Sequence, residues 1–160
     1  MTEIRPATPA DAEALAAHHH HSRREEFSGT IPDSALDALS VEERLTQWRS
    51  WLSPEMPHNT RVATQTEERI VGHVTVLDDE IMHVYVTPDH WRQGIGSLLL
   101  VAGERLLRAA GHARIVLQTH DLNHRAIGLY SSNGWRITDE QVTFQVAGHS
   151  VAGHVLEKHF

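Results

Sequence analysis

The chain contains no cysteine. That excludes disulfides, thiolate metal sites and any cysteine nucleophile, so an acyl-cysteine relay cannot operate. Long apolar runs are also missing: the first helical stretch is interrupted by Asp11 and Glu13, and nothing approaches the ~20 apolar residues of a membrane span. The start lacks the pattern of a signal peptide, which makes the cytoplasm the expected location. Positive charge is scattered, with Arg23 and Arg24 the only adjacent basic pair, and the formal net charge is −7. Such a surface repels nucleic acid phosphates. Nucleic acid and membrane are therefore excluded as partners.

What remains is the profile of a globular protein: 160 residues, 40% hydrophobic and 22% charged, a size that fits one domain over 1–160. There are no repeats, linkers or low-complexity segments. The pattern predicts a strand over 3–8 and a helix over 10–26, a break at Gly29, Pro32 and Asp33, and a second helix over 40–52. Ser40 with Glu43 three residues later fits a capping box. The middle reads as an antiparallel meander: a strand over 61–65, a turn at 66–68, a strand over 70–76, a turn at 78–79 and a strand over 80–87. A helix over 97–110 follows, with Leu99, Ala102, Leu106 and Ala109 on one stripe and Glu104 on the other side. Then come a strand over 115–118, a helix capped by Asn123 and ending near 132, and closing strands near 135–147 and 152–159. The order β-α-α-β-β-β-α-β-α-β-β describes an α+β domain with one mixed, mostly antiparallel central sheet flanked by helices.

One turn carries chemistry. Gln93-Gly94-Ile95-Gly96-Ser97 sits between a strand and an amphipathic helix. Unpaired amides and the helix dipole make such a turn an anion site, and glycines let a pyrophosphate approach the backbone. The turn lacks the Gly-Lys-Ser/Thr of a P-loop, and Leu99 stands where a Rossmann fingerprint needs its third glycine.

The stretch Val84-Tyr85-Val86-Thr87-Pro88-Asp89-His90-Trp91-Arg92-Gln93-Gly94-Ile95-Gly96 resembles the "V-x-P-x-x-R-x-x-G-x-G" segment of the GNAT superfamily of acetyltransferases. Asn123-His124-Arg125-Ala126-Ile127-Gly128-Leu129-Tyr130 with Asn133-Gly134-Trp135 resembles its "N-x-x-A-x-x-x-Y-x-x-x-G-F" segment. The resemblance is strong over 69–137 and extends in outline to Ile4-Arg5-Pro6-Ala7-Thr8. It implies a GNAT-like fold and an acetyl-CoA-dependent N-acetyltransferase. Acetyl-CoA would be the cosubstrate, bound by Val84, Val86, Arg92, Gln93, Gly94, Ile95, Gly96, Ser97, Asn123 and Tyr130. The backbones of Val84 and Val86 would pair with the pantetheine arm like an added strand. The family's usual arginine three residues before the first glycine is Trp91 here, so the amides of 93–97 would carry the pyrophosphate, with Arg92 as the side-chain candidate.

Tyr130 would be the general acid that protonates the departing thiolate, and a backbone amide near Val86 the oxyanion donor. Glu80 occupies the place of the family's catalytic glutamate and is the first candidate base; His83, with an ordinary pKa of about 6.5, is the alternative. Strict alternation would set Glu80, Met82, Val84 and Val86 on one face and His83 and Tyr85 on the other, a parity that the family's β-bulge would disturb.

Fourteen histidines are present, four of them consecutive from His18 to His21. Consecutive helical residues point in different directions. His18 and His21 could pair on a metal, but the run reads as a solvated, polar helix end, and no metal site is expected. His120 and His124 span a strand end and a helix cap and are not a zinc-protease pair. Trp48 and Trp51 share one side of the second helix and read as core.

The expected reaction is direct acetyl transfer to a primary amine of a small molecule in a ternary complex, with a second copy of the chain as a candidate partner in a homodimer. A protein N-terminus or lysine is the alternative acceptor. A CoA-binding module without catalysis and a histidine-based metal-binding module are the non-enzymatic readings.

Overall fold

The computed structural model describes residues 1–56, 58–66 and 69–160. The chain runs through β1 (Glu3–Pro6), α1 (Ala12–Phe27), α2 (Asp33–Asp37), α3 (Val41–Trp51), β2 (Asn59–Thr64), β3 (Ile70–Leu77), β4 (Glu80–Val86), α4 (Ile95–Ala109), β5 (Arg114–His120), α5 (His124–Ser132), β6 (Arg136–Val146) and β7 (His149–His159). The short α2 lies where the pattern showed only a break. Of the expected turn at 66–68, Glu67 and Glu68 lie outside the described residues.

Local chemistry explains the helix starts. Arg5 donates twice to the carboxylate of Asp11, at 2.8 and 2.9 Å, and that carboxylate also accepts from the Thr8 amide at 2.8 Å. Ser40 accepts from the Glu43 amide at 3.1 Å, the expected N-cap of α3.

All seven strands form one sheet in the order β1-β2-β3-β4-β5-β7-β6. Every neighbouring pair is antiparallel except β4 and β5. Those two pair only at Glu80 with Val116 and Ile81 with Leu117, whereas β5 pairs with β7 from Arg114 to His120. Past Ile81 the two parallel strands therefore part. The cause is a bulge: β3 sets Val76 against Ile81 but Thr75 against His83, leaving Met82 as the extra residue. An inserted residue bends a strand and strengthens its twist.

The bulge also corrects the alternating assignment of faces. Ile81, Val84 and Val86 pack into the core beneath α4. Glu80, as the neighbour of Ile81, falls on the opposite face with His83 and Tyr85. Helix α4 is likewise rotated from the expected stripe. It buries Ile95, Leu99, Gly103 and Leu107 together with Leu100 and Glu104. Gly103 is what permits this seat, since a Cβ there would stand 2.8 Å from Val74 Cγ2. Glu104 tolerates burial because Trp135 Nε1 donates to it at 2.9 Å and Lys158 Nζ at 3.1 Å.

On the other face, α1 and α3 cover the sheet through Ala12, Leu15, Ala16, Trp48 and Val62. A third cluster joins Phe27, Ile31 and Leu36 to Val146 and Val151 of the β6–β7 hairpin. It draws the α1–α2 connection over the end of the sheet where β4 and β5 diverge.

Candidate active site

The gap between β4 and β5 opens into a cleft of about 940 Å³. One wall is Met82 to Val86 of β4, the other Gln118 and Thr119 of β5. Past Ile81 no described strand pairs with this edge of β4. The Thr87 amide donates to Val71 O at 2.9 Å, so Thr87 and Tyr85 use their backbone groups toward β3. In an antiparallel ladder the intervening residues point the other way. The backbone groups of Val84 and Val86 thus face the cleft. Trp91 Nε1 donates to Val86 O at 2.8 Å, which leaves the Val86 amide open.

At one end lies the start of α4. Gly94 caps it at φ +79, a left-handed conformation that glycine adopts without strain. The first amides of the helix lack intrahelical partners, and the dipole favours an anion beside them. Gly96 lines the cleft and has a packing role as well. A Cβ there would meet Leu129 Cδ2 at 3.1 Å, so its smallness lets α5 lie against α4. Asn133 Nδ2 ties the same junction to Ser97 Oγ at 3.1 Å. Arg92 lines the cleft at φ +61. Gln93 Nε2 turns away to Asp89 O at 3.3 Å, and Ile95 is core. Arg125, which motif reading passed over, lies with its guanidinium carbon 3.3 Å from the centre of the Trp91 ring and lines the cleft too.

Tyr130 of α5 and Asn123, the N-cap of that helix, line the middle. Burial, and then the charge of Glu26, push the Tyr130 hydroxyl well above the ordinary phenol range, so it stays protonated. Asn123 caps α5 by accepting from the Ala126 amide at 3.3 Å. Its Nδ2 faces Glu26 Oε1 at 3.5 Å.

Glu26 itself had no sequence signal as a hub. The Tyr85 hydroxyl donates to its Oε2 at 2.6 Å, a contact between residues 59 apart that no local motif could announce. Glu26, Glu25, Tyr85 and His83 together make an acidic, aromatic end of the cleft.

The two candidate bases are placed differently. His83 lines the cleft, but Glu80 is not among the described residues that do. Burial, and then Asp79, raise the Glu80 carboxyl, the direction a base needs. Burial, followed by Arg23 and Arg44, pulls the His83 imidazole down to about 3.

The first half of the histidine run is not solvated, whereas His21 is exposed. His18 and His19 are buried, because α1 lies flat on the sheet over His73 and His83. The His18/His21 pair does not form the cluster; instead His19, His73 and His83 bring one ring nitrogen each to within 4.8 Å of one another. Trp48 Nε1 donates to His19 Nδ1 at 3.1 Å. His19 Nε2, both nitrogens of His73 and His83 Nδ1 have no hydrogen-bond partner among the described residues. At about 1–3 kcal/mol per buried orphan, the set costs roughly as much as a domain's net stability of about 5–15 kcal/mol.

The description "Acetyltransferase (GNAT) family" fits residues 18–135 of this sequence. The chain belongs to that family. Members of the GNAT family are acetyl-CoA-dependent acyltransferases, with acetyl-CoA as the cosubstrate. Among curated proteins, human N-acetyltransferase 8 is 31% identical over 102 residues, 58% of this chain and 44% of the human protein. The chain thus spans less than half the length of that relative. Among solved structures, the PaiA N-acetyltransferase of Thermoplasma acidophilum in complex with coenzyme A superposes with a TM-score of 0.80 at 17% identity, covering 100% of this chain and 99% of that one. NAA60 of Arabidopsis thaliana in complex with a bisubstrate analogue gives 0.73 at 15%, with 100% and 99% covered. At such identities the two structures speak for the GNAT fold. No helix among the described residues is long and apolar enough to cross a membrane.

Proposed function

We propose that the chain, acting as one acetyltransferase domain over 1–160, moves the acetyl group of acetyl-CoA to a primary amine of a small molecule by direct attack in a ternary complex. One observation carries the reading: the divergence of β4 and β5 leaves the Val84 backbone and the Val86 amide facing a cleft that runs from the amide-rich start of α4 to Tyr130. Acetyl-CoA supplies a thioester-activated acyl group. The residues present fit it: a free strand edge for an extended arm, a helix N-terminus formed by residues 93–97, and the cationic side chains of Arg92 and Arg125 for phosphates.

The remaining roles follow from placement. The open Val86 amide donates to the carbonyl oxygen as negative charge develops on it. Asn123 steadies the arm near the thioester while capping α5. Tyr130, held protonated, gives its proton to the leaving sulfur. The acceptor must shed a proton, and Glu80 is the better base by basicity, with His83 the alternative by position. Glu25 and Glu26 favour a cationic amine.

A small acceptor fits a cleft that α1 lines on its acidic side through Ser22, Glu25 and Glu26. A protein acceptor would need an open groove there. Location in the cytoplasm and assembly as a homodimer complete the reading; sedimentation tests the second.

The experiment is calorimetry with acetyl-CoA, followed by a screen of small amines and peptides that reads free thiol release. Binding plus turnover with a small amine is expected. No binding sinks the reading; turnover with peptides alone replaces the acceptor class; binding without turnover across the screen leaves a CoA-binding module.

A further inference from the structure

Three histidines from three separate elements meet beside the cleft: His19 from α1, His73 from β3 and His83 from the bulged part of β4. His19 and His73 are fully buried, and His83 reaches the cleft wall. Neutral imidazoles could satisfy one another, since each carries one donor and one acceptor. These do not: His19 Nε2, both His73 nitrogens and His83 Nδ1 lack hydrogen-bond partners among the described residues, although the rings lie 4.5–5.8 Å apart. A fold rarely retains so many unpaired buried polar atoms at one point unless an ion or water completes them.

We propose that His19, His73 and His83 form a tris-imidazole site for a divalent cation of the zinc class. The donor set selects the ion. Three nitrogens with no carboxylate among them do not suit magnesium or calcium, and the chain has no thiolate to offer. Three protein ligands leave one position of a tetrahedral ion open. Burial keeps the rings neutral, which is the ligating form. The site would border the acceptor end of the cleft through His83, yet its existence does not depend on acetyl transfer.

Three neighbours act against binding and shape its signature. Arg23 and Arg44 stand close enough to act on His83, and Arg23 is partly offset by Glu26. Trp48 Nε1 holds His19 Nδ1, so the ring hydrogen of neutral His19 sits on Nε2. Ligation through Nε2 moves that hydrogen to Nδ1 and displaces the indole. Trp48 fluorescence should therefore respond to the metal.

The test uses the full chain after treatment with a chelator. Zinc is titrated by calorimetry and by tryptophan emission, and cobalt by its visible absorption. One ion per chain is expected, with tetrahedral cobalt bands and a melting temperature higher by roughly 5–10 °C at free zinc 100 times Kd. His73→Asn and His83→Asn should each weaken zinc by about 100-fold or more, whereas His21→Ala and His149→Ala, at exposed positions, should leave it unchanged. If His73→Asn does not fold, His83→Asn decides. Absence of zinc binding, binding that survives His83→Asn, or binding lost in His21→Ala would each overturn the proposal.

Discussion

The guanidinium carbon of Arg125 lies 3.3 Å from the centre of the Trp91 indole ring. Trp91 is itself pinned by its N–H to Val86 O at 2.8 Å. The residue that replaces the family's usual arginine thus forms a platform, and the cation arrives from the first turn of α5 instead. Cation–π contact of this kind holds a guanidinium in place.

Arg125→Ala should raise the Kd for acetyl-CoA by roughly 10-fold or more, the effect of one charge-assisted hydrogen bond. The loss should be smaller with thioesters truncated to the pantetheine arm, which lack the pyrophosphate. Trp91→Phe keeps a ring beneath Arg125 and should cost less than Arg125→Ala. Calorimetry decides. Equal affinity in wild type and Arg125→Ala would leave the backbone amides and Arg92 as the whole grip.

Tyr130→Phe should lower kcat about 100-fold with little change in the KM for acetyl-CoA. The Tyr130 ring packs beside Trp135 with the centroids 6.4 Å apart, and phenylalanine keeps that contact, so the melting temperature should hold within a few degrees. Substrates with a more acidic thiol leaving group should recover part of the loss. An unchanged kcat would return Tyr130 to the core.

Glu80 permits a test with two signs. Its carboxyl is raised in the fold by burial and by Asp79. A base works deprotonated, so activity should fall as pH drops through that raised value, and Glu80→Gln should lower kcat and remove the acid limb. Stability should move the other way. A carboxyl that holds its proton more tightly folded than unfolded loses stability as pH rises past both values. Glu80→Gln should therefore be no less stable than wild type at pH 7. If His83→Gln moves the acid limb instead, the base is His83.

Glu104 should prove a support of the site rather than a part of it. It accepts from Trp135 Nε1 and Lys158 Nζ, and Lys158 also donates to Asn133 O at 2.8 Å. Glu104→Ala strands the Trp135 donor and leaves Lys158 without its counter-charge, and should destabilise by about 3–5 kcal/mol, read by denaturant titration. Glu104→Gln retains one acceptor and should cost less. A loss below about 1 kcal/mol would show that the network is replaced by solvent.

Short-range chemistry made much of this protein legible without coordinates. Alternation and helical spacing marked the strands and the long helices, Ser40 and Asn123 announced their caps, and Gly94 announced the turn at the head of α4. These features depend on neighbours a few residues away, and the residues state them directly. The motif blocks around 84–96 and 123–135 carried the family for the same reason. Contacts across the sheet could not be read in this way. The family resemblance implied a bulge in this strand, but its place at Met82, which moves Glu80 to the face of His83 and parts β4 from β5, is set by a register shift against β3. The burial of His18 and His19 depends on α1 lying over β3 and β4. Glu26 meets Tyr85, and His19 meets His73 and His83, only when elements far apart in sequence are packed together. The residue order determined which elements form and where an anion can sit. Only the tertiary structure decided which side chains share the cleft, because a side chain's neighbours there are set by sheet register and helix docking rather than by spacing along the chain.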